Sequence, residues 1–215
     1  MAINPAKVWI VGCGPGSARY LTDAAREAAA GAEVLVGGKR LLELFPDSPA
    51  ERMVVGADIA AAIEQIVARH AAGQRVVVLV SGDPGLYSLA QNVVRRVGRQ
   101  CCEVVPGVSS VQVAFARLGM DWSDVRILSA HGRTPAIRAD ELAPSDKIAI
   151  LAGTKDALGW SAAMAAALEA SHAAFLGENL TSDDERFEPL GAEQLAARDA
   201  SPLSIVLLIR KGLFA

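Results

Sequence analysis

The sequence predicts an α/β protein with two α/β domains built on parallel and mixed sheets. Short apolar runs alternate with amphipathic stretches of helical spacing along the chain. Glycine-rich turns follow several of the apolar runs, as expected where strands end. The 215 residues, 52% of them hydrophobic, are enough for a sizeable core.

The first half of the chain repeats a strand, a loop and a helix four times. Residues 76–80, Val-Val-Val-Leu-Val, form the clearest buried strand, since an uninterrupted apolar run is typical of a parallel sheet covered on both faces. Helical crossovers between the strands predict that they run parallel. The predicted strands are 8–11, 33–36, 76–80 and 103–105, and the predicted helices are 22–30, 59–72, 86–97 and 110–118.

A polar, turn-rich stretch at 119–124 predicts a domain boundary, with domains at 1–119 and 120–215. In the second half, strands are predicted at 126–129, 147–151, 173–176 and 203–209. A long helix is predicted at 158–171, ending at Ser171. Residues 210–215 are too few for a further domain of about 50–200 residues, so we expect one active site in this chain.

Composition excludes several classes of protein. The net charge of −3 and the lack of a lysine or arginine block argue against a nucleic-acid or membrane-surface partner. No apolar stretch approaches the roughly 20 residues of a membrane span. Cys13, Cys101 and Cys102 form no even disulfide framework, which predicts a reducing cytoplasm. Cys101, Cys102 and His131 lack metal-ligand spacing, so no metal is expected.

The loop 12–16, Gly-Cys-Gly-Pro-Gly, invites comparison with nucleotide-binding motifs, which it fails to match. Ser17 stands where the third glycine of a dinucleotide fingerprint belongs. The stretch 37–40 does not complete a P-loop either, because Arg40 occupies the serine or threonine position. Phosphate binding is therefore not expected, and a tight turn without a ligand stays an alternative for this loop.

Two further glycine turns, 81–85 (Ser-Gly-Asp-Pro-Gly) and 106–110 (Pro-Gly-Val-Ser-Ser), follow predicted strands. Asp83 could do no more than cap the next helix. Yet open α/β sheets bind ligands at the carboxyl ends of their strands, so three such turns predict one ligand-binding crevice.

Taken together, these three loops resemble the signature loops of the tetrapyrrole methylase family. Three other stretches, 36–40 (Val-Gly-Gly-Lys-Arg), 129–133 (Ser-Ala-His-Gly-Arg) and 178–186 (Glu-Asn-Leu-Thr-Ser-Asp-Asp-Glu-Arg), resemble its subgroup of precorrin-6Y C5,15-methyltransferases in the CbiE-type form. The resemblance covers nearly the whole chain. It implies a homodimer in which S-adenosylmethionine lies in a cleft between two domains. The implied cofactor contacts are Pro15, Gly82, Asp83, Leu86, Tyr87, Ser109, Ser110, Ala130, Ala152 and Gly153.

The implied acceptor is a precorrin or cobalt-precorrin, a tetrapyrrole with several carboxylate side chains, methylated at C5 during cobalamin biosynthesis. Basic residues are expected where those carboxylates bind. The candidates are Lys39, Arg40, Arg133 and Arg186, although surface cations are often simply solvated.

Methyl transfer from a sulfonium needs mainly positioning of two bound reactants. His131, in a glycine-flanked loop after a strand, and Glu178 are the candidate catalytic residues for moving a proton. A backbone-bound histidine and a solvated glutamate are the alternatives. His70 and His172 fall on or beside predicted helices and are expected to be structural.

The resemblance also implies that C15 methylation and decarboxylation belong to a separate subunit or domain, which is the expected functional partner. Two other classes of function stay open. One is a family enzyme with a different acceptor, and the other is a non-catalytic module that binds a nucleotide or carries the labile intermediate.

Overall fold

The computed structural model describes residues 6–132, 134–199 and 201–214. The chain divides into two compact units, Met1–Ser109 and Ser110–Ala215. This division lies ten residues before the boundary predicted at 119. The helix in between, α5 (Ser110–Leu118), packs on the last strand of the second unit, which is why it belongs there.

The first unit contains a five-stranded sheet in which every neighbouring pair of strands is parallel. Its strands are β1 (Val8–Gly12), β2 (Val34–Gly37), β3 (Glu51–Val54), β4 (Val76–Val80) and β5 (Cys102–Val105), in the order β3-β2-β4-β1-β5. Its helices are α1 (Asp23–Ala30), α2 (Lys39–Leu42), α3 (Ile59–Ala71) and α4 (Ala90–Val97). The predicted parallel arrangement is confirmed.

Side chains alternate between two cores on the faces of this sheet, because successive residues of a strand point to opposite sides. Trp9 and Val11 of β1 pack with α1 and α2 on one face. Val8 and Ile10 pack with α3 and α4 on the other. The uninterrupted apolar run of β4 is thus buried on both sides, as expected for a central parallel strand.

The second unit has a mixed sheet in the order β6-β7-β10-β8-β9, in which only β6 and β7 are parallel. Its strands are β6 (Arg126–Ser129), β7 (Lys147–Leu151), β8 (His172–Glu178), β9 (Arg186–Pro189) and β10 (Ser204–Arg210). Besides α5, its helices are α6 (Ala139–Leu142), α7 (Lys155–Leu168) and α8 (Ala192–Ala197). One face of the sheet packs against α6, α7 and α8 to form a hydrophobic core.

Several element boundaries differ from the sequence prediction. Helix α4 begins at Ala90, not at 86, because residues 86–89 form a turn. Helix α7 runs three residues earlier than predicted at both ends, since Thr154 caps it by accepting from the amide of Ala157. His172, predicted to follow a helix, opens β8.

Five short elements were not predicted from the sequence: α2, α6, α8 and the edge strands β3 and β9. Each has six residues or fewer, and the edge strands carry charged residues, so apolar periodicity is weak there. Within the described residues, no helix is both long and apolar enough to cross a membrane.

Candidate functional site

Three loops meet at the carboxyl edge of the parallel sheet, where β1, β4 and β5 end. The amide of Gly82 donates to the carbonyl of Gly14 at 2.8 Å, and the amide of Gly14 donates back at 3.3 Å. The amide of Cys13 also donates to the carbonyl of Val80 at 2.9 Å. The loop after β1 is therefore bonded directly to the loop after β4.

Glycine is required where these loops touch. A Cβ atom on Gly12 would lie 2.7 Å from both the amide nitrogen of Gly107 and the carbonyl oxygen of Gly82. A Cβ atom on Gly107 would collide with the same carbonyl oxygen. Gly82 itself has φ +65°, which side chains disfavour. The three loops pack backbone against backbone.

Asp83 joins two of the loops and does not cap a helix. One carboxylate oxygen accepts from the amide of Gly85 at 2.8 Å, and the other accepts from Gly107 at 3.1 Å. The first amide of α4, that of Ala90, donates instead to the hydroxyl of Ser88. The capping role considered from the sequence is therefore wrong, because the carboxylate crosses to the β5 loop.

The remaining candidate cofactor contacts of the first unit lie on these same loops. Pro15 and Ser109 are buried, whereas Leu86 is half-buried. Tyr87 has φ +45° and is 58% exposed. A non-glycine residue held at positive φ is strained, and such strain concentrates at functional loops. Ser110, the other predicted contact, starts α5 in the second unit.

Of the two candidate substrate cations in the first unit, Arg40 is hydrogen-bonded to the loop after β4 and Lys39 is exposed. Lys39 is exposed on the first turn of α2, while Arg40 is half-buried and its Nη2 donates to the Ser81 hydroxyl at 3.1 Å. Burial lowers the pKa of the Arg40 guanidinium, with neighbouring Cys13 opposing that shift. Burial raises the pKa of the Cys13 thiol to about 12, so the thiol stays neutral at physiological pH.

In the second unit, the predicted contacts lie at the ends of β6 and β7. The amide of Ala130 donates to Leu151, and that of Ala152 donates to Ser204. Gly153 packs against the carbonyl of Pro202, and a Cβ there would lie 2.8 Å from Nδ1 of His131. Exposed His131 is therefore next to the Ala152–Gly153 turn, which places three of the predicted residues at one end of this sheet.

Glu178, the other candidate catalytic residue, is buried and engaged in an ion pair. Its Oε2 accepts from Nη2 of Arg198 at 3.1 Å and from Nε at 3.3 Å. Arg198 also donates to Glu188 at 2.8 Å. The Glu178 carboxylate is thus paired with Arg198. The sequence did not indicate this pair, because the two residues are twenty positions apart.

The loop after Glu178 is held by several polar contacts that were missed from the sequence. Asn179, with φ +49°, donates to Asp184 and accepts from the Ser201 hydroxyl, both at 2.7 Å. Glu185 accepts from the amide of Thr181 and from Arg117. The local signal in the sequence is the asparagine itself, since asparagine tolerates positive φ better than most residues.

Two candidate substrate cations remain. Arg186 is exposed at the start of β9, paired in register with Glu178. Arg133 lies outside the described residues. Among the described residues, no group of three histidine, cysteine or acidic side chains could hold a metal ion.

The fold and these loops define an α/β protein with a candidate ligand site made mainly of backbone, at the carboxyl edge of a parallel sheet. Such a site suits a ligand without phosphate groups, because it offers amides, carbonyls and hydroxyls in place of a cationic or helix-end phosphate cradle.

Comparison with known proteins identifies the family. Residues 7–196 match the model of the Tetrapyrrole (Corrin/Porphyrin) Methylases. The cobalt-precorrin-7 C(5)-methyltransferase of Salmonella typhimurium LT2 is 35% identical over 93% of this chain and 97% of its own. The chain belongs to the tetrapyrrole methylase family, which confirms the resemblance seen in the sequence.

Solved structures agree on the fold. A precorrin-6Y methylase (cbiE) from Archaeoglobus fulgidus superposes with a TM-score of 0.70 at 26% identity, covering 96% of this chain and 98% of that one. A uroporphyrin-III C-methyltransferase from Thermus thermophilus, complexed with S-adenosylhomocysteine, gives a TM-score of 0.77 at 24% identity and covers 94% and 97%.

Proposed function

We propose that this protein transfers a methyl group from S-adenosylmethionine to C5 of a precorrin or cobalt-precorrin in cobalamin biosynthesis. The observation that carries the proposal is the identity of 35% to a C5-methyltransferase over nearly the full length of both chains. The Thermus relative, which binds S-adenosylhomocysteine and shares the fold, supports the choice of cofactor.

The cofactor would contact the backbone of the joined loops through Pro15, Gly82 and Asp83, with Leu86 and Tyr87 beside the adenosyl group and Ser109 and Ser110 as hydroxyl partners. In the second unit, Ala130, Ala152 and Gly153 would supply further backbone contacts. Supporting this assignment, the loops are short of side chains and bonded to one another, so they can meet a ligand without reorganising. S-adenosylmethionine supplies an electrophilic methyl group when bound.

The chain's own residues would orient the macrocycle and exclude water. Lys39, Arg40, Arg133 and Arg186 would bind its carboxylates through charge-assisted hydrogen bonds. His131 would take up the proton released at the methylated carbon, since imidazole exchanges protons near neutral pH. Glu178, tied to Arg198, would act by positioning the loop that follows it.

The chain would act as a homodimer in the cytoplasm, and a C15-methylating decarboxylase would act next. These assignments follow from the family resemblance. Light scattering coupled to size exclusion would check the dimer, since a monomeric mass across the concentration range contradicts it.

The test of the proposed function is incubation of the chain with precorrin substrate and S-adenosylmethionine, followed by mass spectrometry. We expect the gain of one methyl group, at C5, without loss of a carboxyl group. A second methyl group or a decarboxylated product from this chain alone contradicts the proposal. Binding of the intermediate without any transfer would instead favour a carrier.

A further inference from the structure

A pocket of about 340 Å³ lies in the first unit beside the joined loops, where β2, β3 and β4 end. Its walls are mainly apolar side chains from α2, the β3–α3 connection, β4 and the turn before α4. The residues that matter here are Leu41, Val55, Ile59, Leu79, Ser81 and Leu89. Ligand pockets span about 300–1,000 Å³, so this one is too small to enclose a whole tetrapyrrole but can take one edge of it.

Ser81 is one of the polar residues that line this pocket, and its hydroxyl accepts from Nη2 of Arg40 at 3.1 Å. A hydroxyl that accepts one hydrogen bond still has its own proton to donate. The Ser81 hydroxyl therefore offers one donor on the pocket wall, and the Arg40 guanidinium bonded to it places a second donor next to that wall.

Arg40 has no counter-ion among the described residues. Its Nη1 is shielded from solvent and has no hydrogen-bond acceptor there. The nearby Cys13 is a neutral thiol, not a thiolate, because burial raises its pKa to about 12. Asp83, on the same loop as Ser81, accepts from the amides of Gly85 and Gly107 and is not ion-paired with Arg40. A half-buried cation without an anion is costly, and an arriving anion removes that cost.

We propose that this pocket is the recognition subsite for one carboxylate-bearing pyrrole edge of the acceptor. The apolar walls receive the ring edge and its methylene groups, and Arg40 and Ser81 donate to the carboxylate. The inference rests on the proposed function and deepens it, since it makes Arg40 a determinant of specificity for acceptors with free carboxylates over acceptors with neutral side chains.

Two corrinoids serve as probes: dicyanocobyrinic acid, which carries free carboxylates, and dicyanocobinamide, in which they are amides. Wild-type protein should bind the acid at least tenfold more tightly in equilibrium dialysis. Arg40→Met should weaken binding of the acid about 30-fold or more, as expected for truncating one partner of a desolvated charge pair, while the amide is bound as before. Ser81→Ala should reduce binding of the acid less, because the guanidinium remains.

Arg99→Met is the matched control, since Arg99 is exposed and precedes β5, at the opposite edge of the sheet. It should bind the acid as the wild type does. The melting temperature of Arg40→Met without ligand should equal or exceed that of the wild type, because an unpaired, partly desolvated charge has been removed.

Calorimetry with S-adenosylhomocysteine separates the two proposals. If the wild type binds S-adenosylhomocysteine and methylates precorrin, but Arg40→Met and Ser81→Ala keep the wild-type preference for the acid, the subsite is overturned and the proposed function stands. Absence of any preference in the wild type also overturns the subsite. If neither S-adenosylhomocysteine binding nor methyl transfer occurs, the proposed function is contradicted, and the subsite, which rests on it, is overturned as well.

Discussion

Single backbone atoms decide the shape of the candidate cofactor site. The carbonyl oxygen of Gly82 lies against the backbone of both Gly12 and Gly107, leaving no space for a side chain at either position. Asp83 then secures the arrangement by accepting from the amide of Gly107. The residues of greatest consequence for this site are thus ones with little or no side chain, which fits a protein whose chemistry is mostly positioning.

Replacing Gly107 with alanine tests this close packing. The new methyl group meets the Gly82 carbonyl and the Gly12 backbone, so the loops must separate. We expect a loss of about 1–3 kcal/mol in the free energy of unfolding, as for overpacked sites, and loss of S-adenosylhomocysteine binding. Urea unfolding and calorimetry measure the two effects.

Gly159→Ala is the control for that substitution. Gly159 lies within α7 with no atom within 4 Å of an added Cβ, and alanine favours helix. This variant should be as stable as the wild type or more so. A Gly107→Ala protein with normal stability and normal binding would show that the close backbone packing of the three loops is not needed for either property.

Arg198 and Glu178 provide a second test at the residue scale. Glu178 is 5% exposed, so Arg198→Met leaves a buried carboxylate without its partner. The free energy of unfolding should fall by about 1–3 kcal/mol, less than for a fully buried pair because the arginine is partly exposed. The exposed pair Arg96–Glu64 gives the control, and Arg96→Met should change stability little. Equal effects of the two substitutions would mean that Glu178 does not depend on Arg198.

At the scale of elements, side-chain hydrogen bonds attach the connections to the strands. The stretch between α5 and β6 shows this. Asp121 accepts from the Lys147 side chain at the start of β7 at 2.8 Å and from the amide of Ser123 at 3.1 Å. The Lys147 and Ser123 hydrogen bonds lower the pKa of Asp121 to about 2. The connection is thereby attached to the first residue of a core strand.

This pKa predicts how the stability of the second unit responds to acid. Asp121 binds a proton more weakly in the folded chain than in the unfolded one, whose aspartates titrate near about 3.9. Its contribution is therefore complete above that pH and is lost as the pH falls towards 2. Urea unfolding from pH 6 to pH 2.5 should show wild type and Asp121→Asn converging at the acid end. Asp47→Asn, an exposed change in the first unit, controls for net charge, and a constant gap between wild type and Asp121→Asn would contradict the assignment.

For the whole molecule, two units of different topology belong to one family domain. The first sheet is entirely parallel, the second is mixed, and the family match at residues 7–196 spans most of both. The sites predicted from the sequence fall in both units, at the carboxyl edge of the first sheet and at the ends of β6 and β7 in the second.

Ligand-induced stabilisation tests the cofactor on the whole chain. A ligand at a hundredfold excess over its Kd stabilises the folded state by about 2.7 kcal/mol, which in a chain of this size raises the Tm by about 5–10 °C. We expect that rise with S-adenosylhomocysteine and none with NAD at the same concentration. A rise with NAD alone would return the protein to the class of nucleotide-binding modules.

The sequence by itself determined the parallel first sheet, the family and the three glycine turns. It did so because buried strands are continuous apolar runs and because turns without side chains need glycine. The strand 76–80 and the helix 110–118 were predicted with their observed bounds. These features depend on residues close together in the chain, where periodicity and turn chemistry act.

Only the tertiary structure decided which distant groups meet. Asp83 bonds to Gly107, Glu178 to Arg198, and Arg40 to Ser81 without a carboxylate partner among the described residues. The short edge strands β3 and β9 likewise exist through pairing with neighbours and not through their own composition. The physical reason is that hydrogen bonds and ion pairs depend on distances in space, which the order of strands in the sheet sets. No local sequence pattern predicts that order.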